Sequence, residues 1–108
     1  MRLNAILAAA LVLLSLPGQA VADQDSALAA VRSNKGVVDA KIDDRGNLFI
    51  MVIKNDKIAW DQYAAYMCAV VRPHQARIFI SRVIDVTTVG GGKKQSEWKT
   101  LAAVSCAK

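Results

Sequence analysis

Leu48-Phe49-Ile50-Met51-Val52-Ile53 is the stretch that decides the fold. A β-strand turns successive side chains to opposite faces, so a strand of this composition offers neither face to water. It belongs at the centre of a sheet, or it needs a second layer over its other face.

Working outward, Val37 to Ile42 alternates, with Val38, Ala40 and Ile42 on one face and Asp39 and Lys41 on the other. That is the pattern of a half-buried strand. Between the two runs, Asp43-Asp44-Arg45-Gly46-Asn47 has turn composition, and Gly46 can take a positive φ. The spacing predicts a hairpin. Asp43, Asp44 and Asn47 also hint at a cation loop. An EF-hand needs alternating oxygen ligands over about twelve residues and a closing glutamate, and the segment has neither. Asp bonding its own backbone in a turn accounts for it.

Downstream, Asn55-Asp56-Lys57 breaks the pattern and leads into a helix from Ile58 or Asp61 to Arg72. At 100° per residue, Trp60, Tyr63, Ala64, Met67, Val70 and Val71 share one arc, with Cys68 at its border. Tyr66 points away beside Ala65 and Ala69, a flat outer surface suited to a partner. Pro73 ends the helix. Residues 77–86 have strong β propensity, but Arg82 shares the parity of Ile78, Ile80 and Ile84, which asks for a bulge or an edge position. Gly90-Gly91-Gly92-Lys93-Lys94 is a flexible basic loop. Residues 96–106 fit either a helix capped by Ser96 or a strand paired with the third one, with the strand preferred.

Upstream, Asp25 or Ser26 is placed to cap a short helix through Arg32, stopped by Asn34-Lys35-Gly36. The expected fold is therefore α+β. Two helices pack on one face of a small, mainly antiparallel sheet, in the order α-β-β-α-β plus a C-terminal strand or helix. In element order, residues 24–86 loosely resemble the BON domain, a bacterial envelope module of helix, two strands, helix and strand. The likeness is one of topology alone. The glycine-centred stretches of that family are absent here, so no functional residue carries over.

The first 22 residues read as a cleavable signal peptide. Arg2 lies beside the amino terminus, Ala5 to Leu16 is uncharged, Pro17-Gly18 breaks the run, and Ala20-Val21-Ala22 precedes the expected cut before Asp23. The apolar run is too short for a span, which needs roughly 20 residues, so no membrane span is expected after cleavage. The remainder, residues 23–108, has the length of a single small domain. In a periplasmic or secreted setting, Cys68 and Cys106 read as one disulfide.

The 108-residue chain carries a net charge of +5, or about +4 once Arg2 is removed, which favours acidic surfaces. His74, the lone histidine, has no catalytic or metal-ligand set around it in sequence. Lys93 and Lys94 are too few for nucleic-acid recognition. No cofactor or metal is expected, and the oligomeric state is open. These features point to a non-enzymatic exported module that binds a protein or an anionic envelope surface. Lys93, Lys94 and Tyr66 are its candidate contacts. The alternative is a secreted or periplasmic inhibitor of an enzyme such as a lysozyme or protease.

Overall fold

A computed structural model describes residues 19–107. Helix α1 spans Gln19–Arg32, strand β1 Val37–Ile42, β2 Asn47–Val52, helix α2 Trp60–Val71, β3 Ile80–Asp85 and β4 Thr100–Ser105. The expected signal over residues 1–22 lies outside the described residues, apart from the backbone of 19–22 at the start of α1. Asp25 and Ser26 are thus interior to α1 and do not cap it. The Ser26 hydroxyl instead bonds back to the Asp23 carbonyl (3.1 Å).

The sheet order is β1-β2-β3-β4. Both outer pairs are antiparallel, while β2 and β3 run parallel because α2 carries the chain back to the starting end. Residues 100–105 are a strand paired with β3, which resolves the open choice at the C-terminus. Both helices pack against the sheet.

As its composition requires, β2 is covered on both faces. Leu48, Ile50 and Val52 face the helices and meet Ala27, Val31, Ala64, Met67 and Val83. Phe49 and Met51 face the other way and join Ile84 under Val86, Val89 and Trp98 from the β3–β4 connection. Burial of each such side chain contributes about 1.5–3 kcal/mol, so one six-residue strand anchors two cores.

Two local departures have clear causes. The β1–β2 register shifts between Val37 and Asp39, so Val37 packs on the core and Val38 is turned out, 54% exposed. A bulge sets two residues opposite one and breaks the simple alternation. β3 is an inner strand in unbroken register with β2, so Arg82 keeps the parity of Ile80 and Ile84 on the face of Phe49 and Met51, where it reaches Asn47; a second shift, between Val83 and Ile84, leaves Leu101 of β4 as the extra residue.

The hairpin turn is built around Asp43. Its carboxylate accepts from the Arg45 and Asn47 backbone N–H groups and from Asn47 Nδ2, at 2.9–3.0 Å. Burial pushes this carboxyl up, but the bonds from Asn47 and Arg45 and the Arg45 charge outweigh it and hold the group below 3.8. Gly46 takes φ +82°, and its carbonyl accepts from Phe79 N at 2.8 Å. A Cβ there would collide with the Phe79 ring, so the turn and the entry to β3 need glycine.

Candidate functional site

Cys68, buried on α2, is bonded to Cys106 just beyond β4, with Cα atoms 5.3 Å apart. The crosslink closes a 38-residue separation. It ties the end of an outer strand to the helix layer, and the Cys106 backbone N–H also donates to Phe79 O at 2.7 Å.

His74 follows α2 in a short 3-10 turn, Arg72–His74. Its Nδ1 lies 2.9 Å from Ser26 Oγ on α1. Which partner supplies the proton depends on the imidazole tautomer, and the same hydroxyl lies 3.1 Å from the Asp23 carbonyl. The contact pins the turn to α1. Among the described residues, no group of three or more His, Cys, Asp or Glu is placed to hold a metal ion, and no helix is long and apolar enough to cross a membrane.

The three candidate contact residues do not form one surface. Tyr66 is 55% exposed on the outer side of α2, in the helix layer. Lys93 and Lys94 are exposed in the β3–β4 connection, which lies over the opposite face of the sheet. Near them is a cleft of about 310 Å³ that includes Arg82, Trp98 and Thr100. Arg82 Nε donates to Asn47 Oδ1 at 3.0 Å, and Lys41 lies over the Trp98 ring, 5.7 Å from its centroid.

The sheet edges carry a feature that sequence reading did not single out. In an antiparallel pair, alternate residues turn both backbone groups away from the partner strand. On β1, the Asp43 N–H bond to Asn47 O and the register place Ala40 among the outward residues. Both of its groups are held: the N–H by Asp39 Oδ1 at 2.8 Å, and the carbonyl by Arg32 Nη2 at 2.7 Å. Arg32 and Asp39 also pair with each other at 3.2 Å.

At β4, the Cys106–Phe79 bond and the register place Ala103 and Ser105 as the outward residues. Among the described residues nothing bonds their backbone groups, and both side chains are small and exposed. The strand, Thr-Leu-Ala-Ala-Val-Ser, has no charge and no proline. Charge and proline, two of the usual defences of an edge, are therefore missing, and a bulge at Leu101 is the one it keeps. Exposed Lys99 directly precedes the strand.

The chain matches no known protein-family model, no curated protein and no solved structure.

Proposed function

We propose that this chain is an exported, non-enzymatic module that works by binding, and that β4 receives an extended segment of a protein partner. Export is supported by the three-part pattern of residues 1–22 and by the Cys68–Cys106 disulfide, a crosslink that persists in oxidising compartments. Cleavage before Asp23 would leave α1 with ten of its residues, Asp23 to Arg32.

The observation that carries the binding reading is the β4 edge, bare at Ala103 and Ser105, beside a β1 edge clasped at Ala40. An added strand gains main-chain hydrogen bonds from the edge and specificity from flanking side chains. Lys93, Lys94 and Lys99 flank this edge in sequence, so the partner segment suited to it is extended and acidic. Rigidity from the disulfide lowers the ordering cost of binding.

Ala103→Pro tests the reading. It removes an outward N–H while leaving the β3–β4 ladder its bonds, a setting in which a sheet tolerates proline. In a pull-down from envelope extract, wild type is expected to recover a partner that Ala103→Pro loses, with unchanged circular dichroism. Lys93→Glu with Lys94→Glu is expected to weaken recovery. The same partner recovered equally by all three proteins would refute the β4 reading.

The inhibitor reading draws on the same stapled strand, since many enzyme clefts bind extended chain. Inhibition of a lysozyme- or protease-type enzyme by wild type and not by Ala103→Pro would favour it. No inhibition at micromolar protein would remove it.

A further inference from the structure

The connection from β2 to α2 is exposed at every position from Ile53 to Ala59. Its sequence, Ile-Lys-Asn-Asp-Lys-Ile-Ala, sets two isoleucines around two lysines and one aspartate. Ile53 is 66% and Ile58 41% exposed, an unusual cost for large aliphatic side chains on one short loop. The loop is ordered: Asn55 Oδ1 accepts from Lys57 N at 2.9 Å, and Asn55 O accepts from Ile58 N at 3.3 Å.

Behind it lies a groove of about 250 Å³ whose walls include Ile53, Ile58, Trp60, Tyr63, Lys35 and Lys54. Trp60 and Tyr63 meet edge to face at 5.3 Å, and the Tyr63 hydroxyl donates to Lys35 O at 3.3 Å. Val38, also exposed, sits at this end of the hairpin, because Val37 pairs with Val52. Three lysines, Lys35, Lys54 and Lys57, thus surround an apolar tip, with Asp56 the one acid on the loop.

We propose that this loop seats the protein on an anionic lipid bilayer, with Ile53 and Ile58 entering the acyl boundary and the lysines meeting headgroup phosphates. A stable protein interface needs about 800 Å² per partner with an apolar centre, whereas the apolar side chains here are confined to one short exposed loop. A bilayer accepts such a loop. Each buried methylene contributes about 0.8 kcal/mol, and each lysine near an anionic surface about 1 kcal/mol. Trp60 and Tyr63 have the amphipathic rings that suit the headgroup level. Contact with a membrane surface rests on export for its setting, but its chemistry is independent of the β4 edge.

The test uses the protein recovered after export, its intact mass recorded so that failure of export is seen separately. Co-sedimentation compares phosphatidylglycerol-containing vesicles with pure phosphatidylcholine vesicles. Binding to the anionic vesicles is expected, falling about tenfold or more in Ile53→Ser with Ile58→Ser and in Lys54→Glu with Lys57→Glu. In a Trp98→Phe background, Trp60 emission is expected to shift to the blue on binding. Binding that ignores lipid charge, or survives both double variants, overturns the proposal. So does absence of vesicle binding, and if the variants then alter protein recovery the loop is a protein interface instead.

Discussion

At β1, the outward N–H and carbonyl of Ala40 are held by Asp39 and by Arg32 from the neighbouring helix, while each edge strand carries one bulge. At β4, the corresponding groups of Ala103 and Ser105 have no partner among the described residues, and no charged side chain stands along the strand. Both strands belong to one sheet and pack on the same helix-side core, so core packing does not require the difference. The charged clasp at Ala40 has no counterpart on β4. The bare edge is also the one stapled at its end, which keeps it extended and in place.

The largest expected effect comes from removing that staple. Cys68→Ala with Cys106→Ala should cost about 2–4 kcal/mol, read by urea denaturation, because the unfolded chain regains the freedom of a long loop. Amide exchange is expected to rise first along β4 and much less along β1. Equal loosening of both edges would break the comparison.

Next is the clasp. Arg32→Ala removes an exposed ion pair and a bond to Ala40 O, a loss of about 1 kcal/mol. Its more telling consequence is a second open edge, expected as concentration-dependent self-association in light scattering. A monomer as clean as wild type would show that Arg32 does not guard β1.

Smaller still is Ala103→Lys, which gives β4 a charge of the kind β1 carries. Stability should change by no more than about 0.5 kcal/mol, while partner recovery falls.

Acid probes the connections behind the two edges. Asp43 holds the β1–β2 turn. Asp85 holds the start of the β3–β4 connection, where the Thr87 hydroxyl and N–H lower its carboxyl against burial, with Lys54 and Lys99 adding. Both carboxyls lie below 3.8 in the folded chain. The unfolded chain therefore takes up protons first. The stability these groups confer is present above 3.8 and is lost as pH falls through their folded values. Melts stepped from neutral pH into acid should show Tm falling there, less steeply in Asp43→Asn.

Much of the architecture is written in local pattern. The two-faced apolar run of β2 required cover on both sides, and the helical arc of Trp60, Tyr63, Ala64, Met67 and Val71 named the buried face of α2. The cysteine pair was legible from count and compartment. Local pattern failed where tertiary geometry intervened. Alternation put Val38 on the core side, and a bulge handed that place to Val37. The candidate site was less legible. Which β4 residues turn outward depends on a register set by pairing with β3. The clasp on β1 joins Arg32 and Asp39 across a turn between helix and strand, and no residue spacing announces it. Lys93, Lys94 and Tyr66 were readable as exposed, but not that the sheet lies between them.

The most direct test of the open edge is amide hydrogen exchange by nuclear magnetic resonance on the free protein. Near-unprotected exchange is expected at Ala103 and Ser105, protection at Ala102 and Val104, which face β3, and measurable protection at Ala40. Protection at Ala103 and Ser105 equal to that of Ala102 and Val104 would mean that the β4 edge is already closed, contradicting the open-edge reading.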